Sequence, residues 1–157
     1  MTPNDDIHWM QKALEEAEKA RVLGEVPVGA VLVKDEKLLA SSHNLKETQN
    51  SPIAHAEILA LQKASLILKS WRLTGCKLYV TLEPCPMCAG ALIQSRIERV
   101  IFGALDSKSG VETLKIPIFN HPALNHQIPV TSGVLAKECG QILTNFFRNL
   151  RQPTERA

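Results

Sequence analysis

The segment CKLYVTLEPCPMCAGALIQSRIERVIFGA, residues 76–104, holds two brief β-rich runs, CKLYVTL and ERVIFGA, on either side of a proline-marked helix start. Pro84 and Pro86 suit such a start, because a proline in the first turn gives up an amide hydrogen that has no intrahelical acceptor there. A strand, a crossover helix and a second strand pair most economically in parallel. A parallel pair needs helices over its faces, so the neighbouring segments are read for them.

Upstream, SPIAHAEILALQKASLIL (51–68) places Ile58, Leu59, Leu61 and Leu66 among alanines, a helix beginning soon after Pro52. Before it, VPVGAVLVKDEKLLASSHN (26–44) contains strand-like residues 28–33 and 37–41 joined by the short polar KDEK, which predicts a hairpin. At the amino end, Met10, Ala13, Leu14 and Ala17 recur at helical spacing, with Asp5 and Asp6 placed to complement a helix N-terminus. Downstream, periodicity fades between residues 104 and 127, and an irregular stretch of that length in a small domain is usually functional or mobile. A last helix over residues 134–151 lines up Leu135, Cys139, Ile142, Leu143, Phe146 and Leu150 and ends in a basic turn. The order α-β-β-α-β-α-β-(β)-α predicts a three-layer α/β/α sandwich around a central mixed five-stranded sheet.

With 157 residues, the chain is expected to be one domain, residues 1–157, with 152–157 a flexible tail. The composition, 45% hydrophobic and 22% charged, is that of a soluble globular protein, and no segment approaches the roughly 20 apolar residues of a membrane span. Acids near the N-terminus argue against a targeting segment, so a cytoplasmic location is expected. In a reducing compartment the four cysteines are read as free, metal-bound or catalytic rather than bridged. A net charge of +2 neither announces nor excludes a nucleic-acid partner.

On a helix, Cys85 and Cys88 would share a face and both point at one ion, while the helix N-terminus favours their thiolates. C-x-x-C alone serves equally as a redox pair or as half of a closed structural site. His55 and Glu57 separate these possibilities. One imidazole and two thiolates make three zinc ligands, leaving a fourth position for water or hydroxide. Glu57, two residues from the histidine, would then take the water's proton and pass it on. Because positions i and i+2 of a regular helix face apart, that placement needs an irregular first turn. A closed site would need a fourth protein ligand, and His8, His43, His121, His126, Cys76 and Cys139 are available in number, without a local ligand spacing.

H-x-E followed by P-C-x-x-C is the signature of zinc nucleobase deaminases, and HAE (55–57) and PCPMC (84–88) match it in order. EVPVGAVLV, AHAEILAL, LYVTLEPCPMCAGALIQSRI, RVIFGALDSKSG, HPALNH and FFRNLR, spread over nearly the whole chain, resemble the bacterial tRNA-specific adenosine deaminases of the cytidine deaminase superfamily. The resemblance implies a cytidine-deaminase-like fold, a homodimer, one zinc ion per subunit, and hydrolysis of the wobble adenosine (position 34) of a tRNA anticodon stem-loop to inosine with release of ammonia. It implies His55, Cys85 and Cys88 as metal ligands and Glu57 as the catalytic acid and base. It also implies substrate contacts at Asn44, Ala56, Asp106, Lys108, Asn125, Phe146 and Arg151. Three rival readings remain: a deaminase of free guanine, cytosine or cytidine, a structural zinc module that binds RNA, and a dithiol oxidoreductase.

Overall fold

The structure is a computed structural model and describes residues 3–151; the expected tail at 152–157 lies outside the described residues. Helix α1 (Pro3–Val22) leads into a hairpin of β1 (Gly29–Lys34) and β2 (Lys37–His43). Helix α2 (Ala56–Leu68), strand β3 (Cys76–Leu82), helix α3 (Pro86–Gln94), strand β4 (Arg99–Ala104), the short β5 (Val130–Thr131) and helix α4 (Ala136–Leu150) follow. The sheet runs β2-β1-β3-β4-β5. Strand β1 is antiparallel to both neighbours, while β3, β4 and β5 pair in parallel, as the crossover argument requires. The hairpin turn uses Asp35 and Glu36 in left-handed conformation, at φ 51 and 60, the backbone a tight two-residue connection demands.

Both faces of the sheet are covered. Ala30, Leu32, Leu78, Val80, Val100 and Phe102 point to one side and pack beneath α2 and α3. Val31, Val33, Tyr79 and Ile101 point to the other, against Met10 and Ala13 of α1 and Cys139 of α4. Burial on both faces explains why these strands read as apolar runs rather than alternating ones. Helix α1 approaches so closely that a Cβ on Gly29 would lie 2.0 Å from the Ala13 carbonyl oxygen, so no larger residue fits there.

Asp6, read from sequence as a complement to a helix N-terminus, has a tertiary role as well. Its carboxylate accepts the Tyr79 hydroxyl at 2.8 Å and both Arg99 terminal nitrogens, at 3.2 and 2.9 Å. Arg99 also donates to the Thr131 hydroxyl at 2.8 Å, which ties β5 and α1 to the sheet through one guanidinium.

Because β1 is antiparallel to both β2 and β3, strands β2 to β5 run the same way and end at one edge of the sheet. Helix α2 follows β2 and helix α3 follows β3, so their N-termini stand at that edge. In α/β sheets this is where ligands bind.

Candidate active site

A cavity of about 180 Å³ opens at this edge, with Val26, Val28, Asn44, His55, Ala56, Glu57, Leu82, Glu83, Cys85, Asp106 and Ser109 in its wall. Each comes from a segment entering β1 or leaving β2, β3 or β4, or from the first turns of α2 and α3.

His55 and Cys85 are the N-cap residues of α2 and α3, in extended backbone conformation (φ −75, ψ 153 and φ −80, ψ 172), and neither side chain caps its own helix. The cysteine pair is therefore not two positions of one helix. Cys85 stands just before the helix and Cys88 within its first turn, which turns both sulfurs inward. The same break at His55 resolves the spacing problem of His55 and Glu57, since only Glu57 is helical. His55 Nδ1 lies 3.7 Å from Cys85 Sγ and 3.5 Å from Cys88 Sγ. A tetrahedral zinc ion, with bonds of about 2.3 Å to sulfur and 2.05 Å to nitrogen, would hold such donors about 3.6 Å apart. The donors fit zinc in kind and in spacing. Among the described residues, these three form the one group of candidate ligands close enough to share an ion. Of the possible fourth ligands, His43 is engaged with Glu16 at 2.7 Å, and His126 is 2.7 Å from the Ile97 carbonyl oxygen.

Within the cluster the Cys88 thiol donates to Cys85, and this bond, helped by His55, lowers the Cys85 thiol to about 4. Cys88 is driven up by the same bond and by burial, and His55 is raised by its bond to Cys85. Glu57 is 4% exposed, and burial pushes its carboxyl from 4.5 up to about 7. A carboxyl in that range can both accept and release a proton near neutrality.

Asn44 also lines the cavity, with its side chain oriented by backbone. Its Oδ1 accepts the Lys46 amide at 3.1 Å, and its Nδ2 donates to the Val26 carbonyl at 3.2 Å. A carboxamide nitrogen has two hydrogens, so one remains for a ligand. Ala56 is buried in the wall as the first residue of α2, where an amide has no intrahelical acceptor. Asp106 lines the cavity while its carboxylate accepts the Lys108 and Ser109 amides at 3.0 and 3.3 Å. Lys108 is exposed on the same turn. Asn125, Phe146 and Arg151 do not line the cavity. Asn125 and Arg151 are exposed, and the half-buried Phe146 meets Phe147 edge-on, ring centroids 5.4 Å apart.

Two residues in this region were missed by the sequence reading, Glu25 and Glu83. Glu25 is 1% exposed and accepts the Glu47 amide at 3.0 Å and the Thr48 amide at 2.5 Å, holding the turn that follows Asn44. Burial alone would raise its pKa, but the bonds from Thr48 and Glu47 outweigh it and keep the carboxyl below 4.5. Glu83 serves the loop after β4 in the same way. An acid next to a metal-ligand motif was the one signal available for Glu83; Glu25 had none.

This arrangement, paired helix starts presenting one histidine and two cysteines to a cavity with a buried glutamate, is that of the zinc deaminase class. The family profile of the MafB19-like deaminases matches residues 4–151. A tRNA-specific adenosine deaminase of Bacillus subtilis is 50% identical over 152 residues, 97% of this chain and 94% of that protein. Another of the same name from Haemophilus influenzae is 49% identical, covering 94% of this chain and 86% of its own. A solved structure from work on A-to-I editing by tRNA:A34 deaminases at the wobble position of transfer RNA superposes with a TM-score of 0.83 at 44% identity, over 87% of this chain and 99% of that one. The chain belongs to the tRNA-specific adenosine deaminase family.

Proposed function

We propose that this protein, as one deaminase domain, hydrolyses the wobble adenosine (position 34) of a tRNA anticodon to inosine and releases ammonia. The observation that carries the reading is the N/S₂ donor cluster with buried Glu57 beside it on the cavity wall. His55 Nδ1, Cys85 Sγ and Cys88 Sγ would hold one zinc ion. When bound with three protein ligands, zinc lowers the pKa of a water in its fourth position towards about 7 and so supplies hydroxide at neutral pH.

The chain's own residues do the rest. The Glu57 carboxylate takes one proton from the attacking water and delivers it to the purine ring, where it stays, then takes the second from the new C6 hydroxyl and passes it to the departing amine, so that adenosine and water become inosine and ammonia. The free Asn44 Nδ2 hydrogen donates to N7, an acceptor in both adenine and hypoxanthine. The Ala56 amide lies at the cavity end of α2, available to the base. An unstacked anticodon-loop base can enter such a cavity where a paired base cannot.

Asp106 and Lys108, on the turn at the mouth, contact the flanking nucleotides. Phe146 and Arg151 contribute from the last helix, α4. Asn125 contributes from the irregular segment before β5.

The active form is a homodimer. Its support is an open apolar groove between α2 and α3, where Leu66 is 79% and Trp71 56% exposed beside Ile58, Leu61 and Ala91. No helix among the described residues is long and apolar enough to cross a membrane, and a tRNA substrate places the work in the cytoplasm.

The deciding experiment incubates zinc-loaded protein with an anticodon stem-loop carrying adenosine 34, and separately with free guanine, cytosine, cytidine and adenosine. Inosine in the stem-loop is expected, with ammonia released fastest from it. Faster release from any free compound would overturn the tRNA assignment. Retention of activity in Glu57→Ala would return the metal to a purely structural role.

A further inference from the structure

The loop after β4 carries Asp106 and Ser109 into the cavity wall, and most bonds within it close only small turns. The Gly110 amide donates to the Asp106 carbonyl at 3.0 Å, and the Leu114 amide to the Gly110 carbonyl at 2.9 Å. Two polar attachments join its cavity end to the strand-to-helix connection before α3. The Val111 amide donates to the Pro84 carbonyl at 3.1 Å. The second attachment is the Glu83 carboxylate, 2% exposed, whose Oε1 accepts the Asp106 amide at 2.9 Å and the Thr113 hydroxyl, and whose Oε2 accepts the Thr113 amide at 2.7 Å.

The loop passes so close over this carboxylate that a Cβ on Gly110 would lie 2.2 Å from Glu83 Cδ. Glycine is needed there for space alone. An ionised carboxylate only accepts, and all three donors recorded on it come from this loop. The carboxylate therefore holds the loop at two points, the Asp106 amide and Thr113, and losing one of these acceptors while the loop stays closed would leave a loop donor buried without a partner.

The geometry points to Glu83 as a positioning residue for substrate binding. It fixes the wall formed by Asp106 and Ser109, and the turn that carries Lys108, through the amides of Asp106 and Thr113, while Glu57 and the donor cluster carry the chemistry. The kinetic part of this inference rests on the tRNA reading proposed above.

The test uses Glu83→Gln and Gly110→Ala in the full-length, zinc-loaded protein. Whichever way the Gln amide turns, its –NH₂ meets a backbone N–H and one loop amide loses its acceptor. An alanine at 110 displaces the carboxylate directly. Both variants are expected to keep one zinc per chain and the wild-type maximal single-turnover rate on the anticodon stem-loop. The half-saturating stem-loop concentration should rise about tenfold. Amide hydrogen exchange should quicken over residues 105–115 and stay unchanged over 44–50, the turn held by Glu25.

Wild-type exchange over 105–115, or a fall in maximal rate at unchanged half-saturation, would overturn the assignment. Should Glu83→Gln fail to fold, Thr113→Val, which removes one hydroxyl donor from an exposed residue, is read in the same two ways and should show a smaller rise. If wild-type protein does not act on the stem-loop, the tRNA reading fails, and the exchange measurement still decides whether Glu83 tethers the loop.

Discussion

Replacing Glu57 by Gln should make the protein more stable and nearly inactive at once. The side chain keeps its shape in a site that is 4% exposed, so packing is conserved and the change is one of charge. Burial raises the carboxyl from 4.5 to about 7. An acid with a raised folded-state pKa costs nothing below the unfolded value, where both states are protonated. The cost grows as pH climbs from about 4.5 to 7 and is constant above that. At roughly 1.4 kcal/mol per pH unit, it reaches at most about 3.5 kcal/mol. The Gln variant never incurs it. For a chain of this size that corresponds to a melting temperature higher by at most roughly 7–14 °C at pH 8, shrinking towards zero near pH 4.

The assay is thermal unfolding of chelator-treated wild type and variant across that pH range, repeated after zinc is restored. A nearby cation favours the ionised carboxylate, so zinc should narrow the gap. Turnover on the stem-loop should fall by about 10²–10⁴-fold, the usual worth of a positioned acid and base. Equal melting temperatures at pH 8, or turnover within an order of magnitude of wild type, would refute the assignment of Glu57 as a buried catalytic carboxyl.

Asn44→Asp keeps the acceptor for the Lys46 amide but removes both N–H donors; kcat/KM should fall by about 10–100-fold with zinc content unchanged, measured by steady-state kinetics and elemental analysis. Removal of metal by dialysis against a chelator should abolish deamination and zinc should restore it, while His55→Ala should not recover one equivalent of zinc under the same conditions. Tyr79→Phe takes a buried hydroxyl from Asp6 on the sheet face opposite α2 and α3, so urea unfolding should show a loss of about 1–2 kcal/mol while the activity of the folded fraction is unaltered. Leu66→Glu, on the exposed apolar groove, should shift the sedimentation coefficient from dimer to monomer; an unchanged dimer would move the interface elsewhere.

The two halves of the histidine–cysteine cluster were readable in advance because the spacing within each is short. Cys85 and Cys88 are three residues apart and His55 and Glu57 two, so the covalent chain itself keeps the members of each pair together, and two proline-marked helix starts are local signals. The crossover from β3 through α3 to β4 was readable for the same reason, since a short connection leaves few ways to pair two strands. What could not be read was which distant backbone each buried acid would meet. Asp6 finds Tyr79 and Arg99, 73 and 93 positions away. Glu25 holds amides 22 and 23 residues on, and Glu83 holds amides 23 and 30 residues on. Such bonds follow no period and use a residue type that is ordinarily solvated.

The last helix shows the boundary within a single element. Its apolar stripe was visible, yet Cys139 is fully buried against Gly103 of β4 while Leu150, on the same stripe, is 47% exposed, so the periodicity marked a face without saying how much of it the sheet would cover. Periodicity and local spacing, fixed by bonds along the chain, were enough for the α/β order and for each of the two short pairs, while the two-part motif joined His55 to the cysteines as one candidate cluster. Folding alone set the cavity's walls, the fixed orientation of Asn44 and the tethering of the two loops, since these depend on through-space contacts between segments that the chain brings together only when the core closes.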